Sequence, residues 1–71
     1  MEKKSFILTS DYIELKNLLK LVNLVQSGGE AKIRIQSGEA QVNGEIETRR
    51  GKKLYAGDIV IFDALEIKII S

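Results

Sequence analysis

Four cations fall within five consecutive positions, Arg49-Arg50-Gly51-Lys52-Lys53, and no acid interrupts residues 48–56. Arginine offers a planar fork of donors and lysine a compact point charge, the two chemistries that grip a phosphate backbone. The central glycine suits a loop or strand end that follows an irregular polyanion. The same run also fits a solvated loop that serves only solubility, which is what most charge runs are. Acids lie on either side: Glu45 and Glu47 before the run, Asp58, Asp63 and Glu66 after it. Net charge is only +1. Local rather than total charge therefore sets the field a ligand meets, because salt screens beyond about 8 Å.

Ser27-Gly28-Gly29 is a second candidate for anion chemistry. At a helix start the backbone N–H groups point outward unpaired, and glycine lets a phosphate come close. Lys32 would lie one turn further on. The competing reading is a plain N-cap after a flexible turn. It is not a P-loop, because no Gly-Lys-Ser/Thr ending follows.

Catalytic chemistry finds little support. With no His and no Cys, imidazole and thiol catalysis, disulfides and Cys/His zinc sites are all excluded. Ten carboxylates are present, but no spacing singles out a pair. The expectation is a protein that is not an enzyme and uses no cofactor and no metal. Of the four aromatic residues, Phe6 and Phe62 read as core. Tyr55, directly after the basic run, fits either a stacked base or a half-buried ring closing a sheet.

The elements that must carry these residues are few. A chain of 71 residues makes one domain, 1–71, with a thin core, since about 60% of the surface is buried at this size. No apolar run approaches the ~20 residues that span a bilayer. Phe6-Ile7-Leu8 after the charged start is too short for a signal peptide. These features predict a cytoplasmic protein with no membrane contact.

Phe6-Ile7-Leu8 predicts a short strand. Thr9, Ser10 and Asp11 offer N-caps for a helix running from Tyr12, with Leu15, Leu18, Leu19 and Val22 on its apolar face and Lys16, Asn17 and Lys20 off it. Ser27 with Glu30 forms a capping box, and Gly38 suits a left-handed C-cap, so residues 28–37 predict a second helix with Ala31 and Ile35 inward. Alternation over Ala31–Ile35 also fits a strand, but both end signals favour the helix. Asn43-Gly44 predicts a hairpin between Ala40/Val42 and Ile46. Leu54-Tyr55, a turn at Ala56-Gly57-Asp58, a buried strand Ile59–Phe62, a turn at Asp63-Ala64 and an alternating strand from Leu65 complete the chain. The fold class is α+β: two helices packed on a small, mostly antiparallel sheet.

These segments, in this order and spacing, resemble the S-four RNA-binding domain, also called the alpha-L RNA-binding motif, in its short stand-alone bacterial version. The resemblance rests on Leu15–Lys20, Ser27–Lys32, Gly38–Glu45, Thr48–Leu54 and Tyr55–Asp58, and it spans Ile13 to Phe62, about fifty of the 71 residues. It implies two helices on a small curved sheet and structured RNA as ligand, often ribosomal or transfer RNA; the chain itself is expected to be a monomer. It places the RNA surface on both helices and on the loop into the following strands. Carried onto matching positions, this points to Lys16, Ser27, Lys32, Arg49, Arg50, Lys52 and Lys53, and the helix-start amides add Gly28 and Gly29 to the candidate RNA-binding set. Two positions depart from the family pattern. Glu14-Leu15-Lys16 stands where many members have Arg-Leu-Asp, which sets an acid beside the surface. Ala56-Gly57-Asp58 replaces Pro-Gly-Asp, which changes rigidity more than recognition. A competing function is a protein–protein adaptor that uses the same fold to dock on a ribosome-associated factor.

Overall fold

The two periodicities resolve into seven strands and two helices in a computed structural model that describes residues 1–71. In chain order they are β1 (Glu2–Ile7), β2 (Ile13–Glu14), α1 (Leu15–Leu21), α2 (Gly28–Gln36), β3 (Gln41–Val42), β4 (Glu45–Ile46), β5 (Lys53–Leu54), β6 (Ile59–Phe62) and β7 (Leu65–Ile70). Five strands form one sheet in the order β1-β7-β6-β3-β4, and β2 pairs with β5 in a separate ribbon. Only the β1–β7 pair is parallel; the others are antiparallel. The expected class, two helices on a small, mostly antiparallel sheet, is the one observed.

Local signals explain most boundaries. Asn43 and Gly44 take φ values of 53° and 86°, the left-handed pair of a type I′ turn joining β3 to β4. Asp63 and Ala64 repeat that geometry between β6 and β7 at 53° and 60°, without a glycine. α2 opens on Ser27, whose Oγ accepts the Glu30 amide at 3.1 Å, while Glu30 Oε1 takes the Gln26 amide at 2.9 Å. It closes on Gly38 at φ 86°, with Gly38 N–H to Ile35 O at 3.0 Å and Glu39 N–H to Arg34 O at 3.2 Å, a Schellman pair. The helix ends at Gln36, one residue short of the span expected from the sequence.

All 14 buried residues are apolar. Leu15, Leu18 and Leu19 of α1 meet Ala31 and Ile35 of α2 over Val60, Phe62, Ile67 and Ile69 of the sheet in one cluster. Burying side chains of this size contributes about 1.5–3 kcal/mol each, and this helix-on-sheet contact holds the site's elements in register. No helix is long and apolar enough to cross a membrane.

Three expectations need correction. α1 does not begin at Tyr12, and none of Thr9, Ser10 or Asp11 caps it. Ile13 and Glu14 are extended and pair with Leu54 and Lys53, and the Ser10 hydroxyl donates to the Tyr12 carbonyl at 2.8 Å. Strand β1 is also longer than Phe6–Leu8: residues from Glu2 onward pair with β7 through the backbone, which is indifferent to the charged side chains of Glu2, Lys3 and Lys4. Phe6 is only partly buried, at the margin of the core.

Candidate nucleic-acid interface

The start of α1 has no side-chain cap. Its first two amides are taken instead by carbonyls of the basic loop: Leu15 N–H donates to Lys52 O at 2.9 Å and Lys16 N–H to Arg50 O at 3.0 Å. Unpaired amides at a buried helix end are unfavourable, so this pairing ties the loop to the helix. The β2–β5 ribbon, with Glu14 opposite Lys53, fastens the same junction one residue further out. The fold thereby brings residues 50–53 against the first turn of α1, across 34 positions of sequence from Lys16 to Arg50.

Between this junction and the start of α2 lies an open hollow of about 1190 Å³. Lys16 and Lys20, one turn apart on α1, Lys32 of α2 and Arg50 of the loop all line it, together with Gly28 and Gly29. Only 3 of its 13 lining residues are hydrophobic, unlike the mostly apolar pockets that enclose small molecules. The amides of Gly28 and Gly29 have no acceptor in the structure, because first-turn amides have no helical carbonyl before them and the one side-chain cap, Ser27 Oγ, goes to Glu30 N–H. Two acids, Asp11 and Glu14, share the hollow. Glu14 pairs with Lys16 at 3.4 Å, so the acid expected beside the surface is partly neutralised by the adjacent lysine. Lys20, Lys32 and Arg50 make no ion pair.

The basic run is shared between two hollows. Arg50 faces the hollow just described, whereas Arg49, Lys52 and Lys53 line a smaller one with Tyr55. Arg49 is not a free cation. Its backbone N–H and Nε both donate to Glu47 Oε2, at 3.0 and 2.9 Å, and its Nη2 to Glu47 Oε1 at 3.2 Å. The guanidinium holds the Glu47 carboxyl down at about 2. The acid-free stretch of sequence is thus not acid-free in space. Lys53 lies over the Tyr12 ring, 4.8 Å from its centroid.

Lys16, Gly28, Gly29, Lys32 and Arg50 of the sequence-derived set come together in the main hollow; Arg49, Lys52 and Lys53 form its neighbour. Ser27 lines neither, and its hydroxyl oxygen serves as the α2 cap. Lys20 and Tyr12 were not in that set. Lys20 could have been found from its i,i+4 spacing to Lys16 on the polar face of α1; Tyr12 carries no sequence signal, since only the β2–β5 pairing brings it to the basic loop. No group of three or more acidic, His or Cys side chains could hold a metal ion.

A helix pair on a small mixed sheet, with a cationic hollow between the helix starts and the loop that caps one of them, defines a binding module of the alpha-L type. Residues 6–70 match the model of the S4 domain family, and the chain belongs to that family. It is 47% identical over 51 residues to RlbA of Bacillus subtilis (strain 168), named a probable ribosome maturation protein, covering 72% of each chain. It is 38% identical over 60 residues to YbcJ of Escherichia coli (strain K12), covering 84% of this chain and 86% of that one. The solution structure of YbcJ, described as an alpha-L motif involved in RNA binding, superposes with a TM-score of 0.71 at 37% identity over 94% of this chain and 86% of that chain.

Proposed function

We propose that the chain is a non-catalytic RNA-binding module of the cytoplasm that takes structured RNA, ribosomal or transfer RNA, as a monomer. One observation carries this reading: Lys16, Lys20, Lys32 and Arg50 converge from three elements on one open hollow that also presents the free amides of Gly28 and Gly29. Four cations on a concave, polar surface suit consecutive phosphates of a folded backbone better than a small ligand. The similarity to RlbA, named for ribosome maturation, and to YbcJ, described as involved in RNA binding, supports the same ligand class.

The test is a binding titration of the full chain against a stem-loop RNA across a salt series, with an unstructured oligomer of equal length as comparison. Each neutralised phosphate contributes about −0.7 to −0.9 to the slope of log affinity against log salt, so four contacts give a slope of about −3. The stem-loop binds more tightly, because recognition rests on backbone geometry. A flat salt response combined with capture of a ribosome-associated protein would instead identify an adaptor.

A further inference from the structure

Two tyrosines stand at the boundary between the two cationic hollows. Tyr12 lines the larger one beside Lys16 and Arg50, and Tyr55 lines the smaller one beside Arg49 and Lys52. Their ring centroids are 6.2 Å apart with planes inclined at 49°. Neither ring is part of the core: Tyr12 is 40% exposed and Tyr55 50%. Neither phenolic hydroxyl makes a hydrogen bond to the protein. Phe62, by contrast, buries its ring completely in the core.

The rings are exposed, but their backbone is held. Tyr55 follows the buried Leu54; its N–H donates to Asp58 Oδ2 at 2.8 Å and its carbonyl accepts the Asp58 amide at 3.0 Å. Asp58 is in turn held by Asn43 Nδ2 at 3.1 Å, so the hairpin turn braces the Tyr55 turn. Tyr12 immediately precedes β2, which pairs with β5 at Ile13–Leu54 and Glu14–Lys53. Lys53 covers the Tyr12 ring at 4.8 Å, leaving Tyr55 the more open of the two. Two pre-positioned aromatic faces flanked on both sides by phosphate-binding cations match what an unstacked nucleobase requires.

We propose that the Tyr12–Tyr55 pair is a stacking platform for one unpaired nucleobase, so that the module selects structured RNA whose duplex is interrupted by a bulge or loop over uninterrupted duplex. This rests on the RNA-binding reading above and narrows it. In an A-form duplex the base faces are stacked and inaccessible; only an interruption offers one next to a continuous phosphate track. The cations on either side of the rings favour this ligand over an apolar protein segment, whose docking would leave them desolvated without partners.

The protein contains two tyrosines and no tryptophan, so its near-ultraviolet emission reports this pair alone. The experiment titrates the full chain with a blunt RNA duplex and with the same duplex carrying a single-nucleotide bulge, following affinity and absorbance-corrected tyrosine emission. The bulged RNA binds at least about fivefold more tightly, the low end of measured base–aromatic stacking, and quenches the emission. Tyr55→Leu brings the ratio of the two affinities to about one, with native circular dichroism; Tyr55→Phe keeps it, since the stacking face is retained. Equal affinity of the wild type for both RNAs, or a ratio that survives Tyr55→Leu, overturns the platform while leaving the RNA reading intact. No binding to either RNA overturns both.

Discussion

The amide of Lys16 donates to the carbonyl oxygen of Arg50 at 3.0 Å. A helix start that elsewhere would use a serine or aspartate side chain is closed here by the backbone of a cationic loop. Folding of the α1 end and placement of the loop are therefore one event, and the Arg50 side chain is delivered to the hollow by a bond that does not involve that side chain. Arg49, one residue earlier, is instead drawn to Glu47.

This separation of backbone and side-chain roles gives the first prediction. Arg50→Ala keeps the carbonyl and hence the fold, but lowers affinity for structured RNA about tenfold, because a charged phosphate contact contributes about 1.5–3 kcal/mol. Arg49→Ala has a smaller effect, since that guanidinium is already engaged by Glu47. The double variant loses at least about tenfold. Fluorescence titrations at moderate salt check the order; equal losses for the two single variants would refute it.

Glu47 is a restraint on the basic surface, which yields a second prediction. Its carboxyl is depressed to about 2 by the Arg49 guanidinium. A depressed carboxyl contributes stability that is present above its ordinary range and lost as pH falls through the folded-state value. Wild type is thus more stable than Glu47→Gln near neutral pH, and the difference closes as pH falls from about 4.5 to about 2. Near neutral pH the variant binds RNA severalfold more tightly with a steeper salt slope, since an anion is removed and Arg49 is released. Paired thermal melts and salt titrations measure both effects. Weaker RNA binding by Glu47→Gln would mean that the ion pair orients Arg49 for its ligand.

Arg34 is a structural cation, and its third prediction concerns stability alone. Its guanidinium donates to Glu39 Oε1 at 2.9 Å, pairs with Asp63 in the β6–β7 turn, approaches Glu30 at 3.8 Å and lies 4.4 Å from the centroid of the buried Phe62 ring. It clamps α2 to the sheet and does not line either hollow. Arg34→Gln costs on the order of 1 kcal/mol, a drop in Tm of about 4–8 °C for a domain of this size, smaller at high salt. RNA affinity at a temperature where both proteins are folded does not change. A variant with native Tm and weakened RNA binding would place Arg34 in the interface instead.

Legibility of this molecule in its sequence follows the range of the interactions. The capping box at Ser27 and Glu30, the left-handed Gly38 and the Asn43-Gly44 turn are closed within a few residues, and each is where local chemistry puts it. The start of α1 was not legible, because its cap is supplied by the carbonyls of Arg50 and Lys52, more than thirty positions further along the chain. Charged residues concealed β1, whose pairing with β7 is a backbone matter. The Glu47–Arg49 pair did leave a trace: residues two apart in an extended segment share a face, and their opposite charges on that face signal an ion pair. Lys20 left one too, in its spacing from Lys16.

The last prediction concerns Gly29. Helix α2 begins with two glycines where one would satisfy a turn, and each costs about 0.5–1 kcal/mol of helix stability relative to alanine. Neither has a left-handed φ, and a Cβ added at Gly29 would lie 3.8 Å from Ser27 Oγ, an ordinary contact; at Gly28 it would meet nothing within 4 Å. Packing and backbone geometry therefore do not require either glycine. What both share is a free amide on the hollow, beside Lys16, Lys32 and Arg50. A phosphate seated on those amides needs the approach that only a residue without Cβ permits. Gly29→Ala accordingly leaves Tm unchanged or slightly raised, while affinity for structured RNA falls severalfold. Lys32→Ala, tested alongside, lowers affinity and reduces the salt slope by about one, whereas Gly29→Ala lowers affinity with the slope retained, because it removes access and no charge. Wild-type affinity in Gly29→Ala would reduce Ser27-Gly28-Gly29 to a helix cap, with the phosphate contacts confined to the side chains of Lys16, Lys20, Lys32 and Arg50.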